Sequence, residues 1–129
     1  MMMSMAFIIS SRGTCQRLPV GALISRDGRV LSMGYNGAPA GLAHCNHSLD
    51  ETDGCTRAVH AEANAIVWAA RKGIATEGAE LFVTHMPCLN CARLIINAGI
   101  SRVVYRLPYR LTEGVSLLTE AGVKVEAYQ

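Results

Sequence analysis

No apolar run in the 129 residues approaches the roughly 18–20 needed to cross a bilayer, although half of the chain is hydrophobic. Met1 to Ile9 has neither a basic leader nor a cleavage pattern, so an unsecreted protein is expected. No block of Lys and Arg occurs and the formal charge is only +2, which excludes the electrostatic footprint of a protein that coats long nucleic acid. A small anionic ligand stays open. Internal repeats, low-complexity tracts and Pro/Ser linkers are also missing, so residues 1–129 are expected to form one domain. The five cysteines are an odd number in a chain of this size, which argues against a disulfide framework and for metal or catalytic use in a reducing, cytoplasmic setting.

What is there alternates between strand and helix. Met2 to Ser11 is an apolar segment of helical length. Val20 to Ile24 and Val30 to Tyr35 are strand-like and joined through Asp27-Gly28, a hairpin signal. Asn36 to Arg57 has no clear periodicity and is rich in Gly, Asn, His, Asp and Cys, as in a long loop that carries function. His60 to Lys72 reads as a helix stopped at Gly73; being apolar on nearly every side, it is expected to run through the middle of the protein. Leu81 to Thr84, Arg102 to Tyr105 and Val123 to Glu126 read as strands. Cys88 to Ala98 and Glu113 to Ala121 read as helices stopped by Gly99 and Gly122. The pattern predicts an α/β fold with helices packed on a sheet that is parallel across the helical crossovers and antiparallel at the hairpin edge.

Two short motifs carry the chemistry, His60-Ala61-Glu62 and Pro87-Cys88-Leu89-Asn90-Cys91. Each opens a predicted helix, where unpaired backbone N–H groups favour the thiolate form that a metal requires. A His/Cys/Cys set supplies three protein ligands and leaves the fourth tetrahedral position open to water, as in a catalytic zinc site. Glu62 lies about 200° around a regular helix from His60, so the two cannot share a face. With the metal beyond the helix entrance, Glu62 is instead placed to exchange protons with the activated water. The order H-x-E followed by P-C-x-x-C is a signature of zinc-dependent base deaminases.

Beyond these motifs the chain resembles the deoxycytidylate (dCMP) deaminases of bacteria and phages, within the wider cytidine and deoxycytidylate deaminase family. The resemblance runs through Cys15-Gln16-Arg17, Val20 to Ile24, the Gly34 to Pro39 turn, His44-Cys45, Cys55-Thr56-Arg57 and His60 to Ile66. It implies a three-layer α/β/α fold on a mixed, roughly five-stranded sheet. It also implies a catalytic zinc on His60, Cys88 and Cys91, with Glu62 as the proton shuttle. Asn36 and Asn64 would hydrogen-bond the nucleotide, and the backbone around Ala61 and Thr84 would read the pyrimidine edge. Some members carry a second, structural zinc, for which Cys15, Cys45 and Cys55 are candidates together with His47 or His44. Members are generally oligomeric, often hexameric, and many respond to dCTP and dTTP. The first helix is shorter than is usual in the family, and Gly13 stands where a Ser is common.

A monophosphate substrate also calls for a cation, and Arg12, Arg57 and Arg71 are candidates. The expected reaction is conversion of dCMP to dUMP with release of ammonia, feeding thymidylate synthesis. Two alternatives remain at this point: deamination of another small base or nucleotide (5-modified dCMP, cytidine, cytosine or guanine), or a zinc-binding module without activity. No membrane partner is expected, and the setting would be a bacterial cell or a phage-infected host.

Overall fold

The computed structural model describes residues 1–13, 18–43 and 58–129. Cys15, Cys45, His47 and Cys55, the candidates for a second zinc, lie outside the described residues, as do His44 and Arg57. The elements are helix α1 (Met2–Ser10), strands β1 (Gly21–Arg26) and β2 (Arg29–Tyr35), helix α2 (Ala61–Arg71), strand β3 (Glu80–His85), helix α3 (Leu89–Asn97), strand β4 (Arg102–Leu107), helix α4 (Glu113–Glu120) and strand β5 (Lys124–Ala127). Asp27 and Gly28 both have positive φ, at 52° and 77°, the requirement of the tight two-residue turn expected between β1 and β2. Gly73, Gly99 and Gly122, at 69°, 78° and 88°, end α2, α3 and α4 in the left-handed conformation that only glycine adopts cheaply.

The five strands form one sheet in the order β2-β1-β3-β4-β5. β1 is antiparallel to β2 and β3, whereas β3, β4 and β5 run parallel through the α3 and α4 crossovers. The sheet is therefore mixed, as expected, and it is covered on both faces. Ala22, Ile24, Leu81, Val83 and Val103 pack with Ala61, Ala65, Ala92, Ile95 and Leu118 of the three later helices. The period-2 alternation of strand side chains sends Phe82 and Val104 to the opposite face, where they meet Met3 and Ala6 of α1.

One expectation is not met. Helix α2 lies on one face of the sheet instead of running through the middle, and it leaves Val67 59% and Trp68 46% exposed. Its buried stripe is Ala61, Ala65 and Ala69, spaced four apart. Much of the apolar character was alanine, which a helix surface tolerates as readily as a core, so the sequence concealed an amphipathic helix.

The sheet has a front, where β2, β3 and β4 end, and a back, where they begin. At the front, Gly37 and Val59 exchange backbone hydrogen bonds of 3.2 and 2.7 Å, which brings the chain back beside β2 just before α2. This return sets His60 at the mouth of the sheet.

Candidate active site

His60 is the N-cap of α2 and Cys88 the N-cap of α3, both with extended backbone (ψ 152° and 172°). Neither is bound by helical side-chain directions. His60 therefore turns toward Cys88 and Cys91 while Glu62, one residue inside the helix, approaches from a different side. His60 Nδ1 stands 3.5 Å from Cys88 Sγ and 3.3 Å from Cys91 Sγ. The three donor atoms all lie within 4.8 Å of one another. Zinc held at about 2.3 Å by sulfur and about 2.0 Å by nitrogen, at tetrahedral angles, separates those atoms by about 3.6 Å. The donor set fits that ion in both chemistry and spacing.

Glu62 is only 4% exposed. Burial raises its carboxyl from the usual range to about 7, against the opposing pull of its backbone hydrogen bond and the charge of His60. A carboxylate poised there can both take and return a proton near neutral pH. The thiols are split. A hydrogen bond from the Cys91 thiol brings Cys88 down to about 4, while its role as that donor, together with burial, pushes Cys91 well above the ordinary thiol range. Zinc takes both sulfurs as thiolates, so its binding releases thiol protons.

Among the described residues, the other expected contacts to substrate gather at the same front edge, except Arg71. Asn36 is buried, accepts the Val20 N–H at 2.8 Å through Oδ1 and donates to the Leu18 carbonyl. A Cβ on Gly13 would come within 2.6 Å of that Oδ1, which gives a physical reason for glycine at position 13. Asn64 Nδ2 donates to the Tyr35 carbonyl at 2.8 Å and ties α2 to the end of β2. Ala61 and Thr84 are both fully buried. Arg71 is the exception. It lies at the other end of α2, about 15 Å along the axis from the metal cluster, exposed and 5.6 Å from the Trp68 ring centroid.

One residue that the sequence reading missed is His85, beside the P-C-x-x-C motif. The Thr84 hydroxyl accepts the Gly21 N–H at 3.2 Å and lies 2.8 Å from His85 Nδ1. The hydroxyl thereby links the start of β1 to the imidazole ring. Burial lowers the pKa of His85.

A family model described as the cytidine and deoxycytidylate deaminase zinc-binding region matches residues 1–107. The chain belongs to the cytidine and deoxycytidylate deaminase family. Zinc is accordingly the metal that suits the donor set of this deaminase. Among curated relatives it is 44% identical over 127 residues to the ComE operon protein 2 of Bacillus subtilis, covering 96% of this chain and 67% of that protein. It is 42% identical over 116 residues to the deoxycytidylate deaminase of Mycobacterium phage D29, covering 80% and 89% respectively. A crystal structure of dCMP deaminase from the cyanophage S-TIM5, in complex with dCMP and dUMP, superimposes with a TM-score of 0.90 at 38% identity, over 98% of this chain and 93% of that one. The three-layer fold expected of the family is thus the fold observed.

Proposed function

We propose that this protein converts dCMP to dUMP by zinc-dependent hydrolysis, releasing ammonia. The observation that carries the reading is the convergence of His60, Cys88 and Cys91 beside a buried Glu62, in a chain similar to enzymes named for that reaction. His60, Cys88 and Cys91 would hold the ion. When bound, zinc lowers the pKa of water toward neutrality and so supplies the nucleophile. Glu62 would take one proton of the water at its carboxylate oxygen and pass it to the ring nitrogen, then take the second from the hydroxyl left on the ring carbon and give it to the amino group as it leaves. Closure of the site around Glu62 excludes bulk water, which would otherwise restore an ordinary carboxyl pKa.

Asn64, with Nδ2 engaged, would meet the nucleotide through Oδ1, and the backbone at Ala61 and Thr84 would read the pyrimidine edge. Asn36 would act by holding the turn that frames the cleft. For the phosphate we favour Arg110 over Arg71. The former belongs to the loop between β4 and α4, which leaves from Leu107, whose carbonyl accepts the Met86 N–H at 2.9 Å, and ends where Gly114 packs on Cys88. Ligands of open α/β sheets bind outside such carboxyl ends of parallel strands.

The finer partners belong to the same proposal. Exposed Val67, Trp68 and Leu94 suit a homo-oligomer, up to a hexamer. A cleft of about 470 Å³ beside Tyr35, Gly37 and Trp68 suits a nucleotide effector such as dCTP or dTTP, with Arg12 over Tyr35 and Lys72 over Trp68 as cations. No helix of the described residues is long and apolar enough to cross a membrane; a cytoplasmic setting belongs to the same proposal.

The test is a panel of dCMP, deoxycytidine, cytosine and guanine assayed for ammonia, with zinc counted per chain, on wild type and Arg110→Ala. Wild type should prefer dCMP. Arg110→Ala should lose roughly 10–100-fold in kcat/KM for dCMP alone, the worth of a hydrogen bond to a charged group. Two zinc ions per chain would support the second site on Cys15, Cys45, Cys55 and His47, and one would remove it. Preference for a compound without phosphate would defeat the nucleotide assignment.

A further inference from the structure

Each half of the donor set is seated against a glycine. A Cβ on Gly34 of β2 would lie 2.6 Å from the Ala65 nitrogen and closer still to the Ala61 carbonyl, so β2 and the first turn of α2 touch backbone to backbone. The second contact involves Gly114, the second residue of α4. A Cβ there would lie 2.8 Å from the Cys88 carbonyl oxygen and 2.9 Å from its carbon, and closer still to the Pro87 carbonyl. These are main-chain atoms of the segment that carries a metal ligand. They cannot yield as the end of a flexible side chain can.

Gly114 has no conformational reason to be glycine. Its backbone is helical and its φ is not positive, unlike Gly73, Gly99 and Gly122 at the helix ends. Glycine inside a helix costs about 1 kcal/mol relative to alanine, so the residue is explained by the close approach alone. Leu118, one turn on and on the same face of α4, is fully buried in the core. At its first turn the helix rests on the Pro87 and Cys88 carbonyls. Cys91 lies inside the first turn of α3, whereas Cys88, as its extended N-cap, joins the helix through its carbonyl, which accepts the Ala92 N–H at 2.9 Å.

We infer that Gly114 is a positioning residue for the metal: through the Pro87–Cys88 peptide it sets where Cys88 Sγ stands relative to Cys91 and His60. The inference rests on the zinc reading above. It makes α4, which contributes no ligand among the described residues, a determinant of metal affinity.

The experiment is zinc competition against a chromophoric chelator using the full chain as wild type, Gly114→Ala, Leu118→Val and the double variant. Thermal midpoints are taken with and without zinc. Gly114→Ala should bind zinc about 10–100-fold more weakly, the usual effect of disturbing the groups that orient a ligand, and its zinc-dependent rise in midpoint should shrink. Leu118→Val should lower both midpoints alike and leave zinc affinity at the wild-type level. The double variant should bind zinc no more tightly than Gly114→Ala, because Leu118 shares the face of Gly114 and its shortening gives α4 no room to move away from Cys88; both are measured in sucrose if Gly114→Ala does not fold in buffer. Wild-type affinity in Gly114→Ala or in the double variant overturns the inference. A wild-type chain that takes up no zinc would overturn the metal reading instead.

Discussion

The front and the back of the sheet are finished in opposite ways. At the front, α2 and α3 begin at metal-site residues, α4 begins against the Cys88 peptide, and a carboxyl is buried where burial raises its pKa to about 7. At the back, the charges stay near water and are paired. Arg102 bridges Glu80 and Glu126 and lies over Phe82, and Arg26 donates to the carbonyls of Ala75 and Glu77 at 2.9 Å each. The back holds Glu126 down at about 2 through Arg102, whereas the front holds Glu62 up. One end is arranged for rest and the other for reaction, and the stability surrendered at the reactive end is compensated elsewhere in the molecule.

The contrast is most sharply broken by Glu62→Gln, which keeps the shape of the front but removes its proton carrier. Turnover of dCMP should fall by about 10³-fold or more, with zinc content unchanged. Near-normal turnover would mean that another group carries the proton.

The same substitution sharpens the comparison through stability. In the zinc-free protein the folded carboxyl titrates near 7 and the unfolded one near 4.5. Stability is therefore fully present below about 4.5 and is lost as pH rises to 7, because the unfolded chain releases the proton first. Relative to Glu62→Gln, metal-free wild type should lose about 3 kcal/mol across that window. Denaturant titrations at pH 4.5 and 7.5 measure it, and parallel behaviour of the two proteins would refute the burial argument. Zinc beside the carboxylate favours its charged form and should narrow the window.

The smallest effect is expected at the back. Arg102→Met should lower the thermal midpoint by a few degrees at most, since surface ion pairs contribute little, and should leave kcat/KM unchanged. A large loss of activity would show that the two ends are coupled.

These two ends were unequally legible in the sequence. The stops at Gly73, Gly99 and Gly122 and the Asp27-Gly28 turn are local signals, and the structure meets them within a residue or two. His60, Glu62, Cys88 and Cys91 were equally plain, because their spacing within each motif already requires a helix entrance. Contacts between distant segments were not legible. Gly114 looked like any helical glycine until Cys88 was found against it, and Arg71 shared a helix with His60 without sharing its end. Alanine hid the direction of α2, since Ala61, Ala65 and Ala69 read no differently from exposed Ala70.

The Gly37–Val59 bridge has a broader consequence. The chain departs from the mouth of the sheet and is pinned on its return by two main-chain bonds, one residue before His60. The imidazole is therefore registered by the sheet edge itself, and its position does not depend on the length of chain between the two bridged residues. Closure entropy grows so slowly with length, about 0.6 kcal/mol per doubling, that added residues between them leave the chemistry where it is.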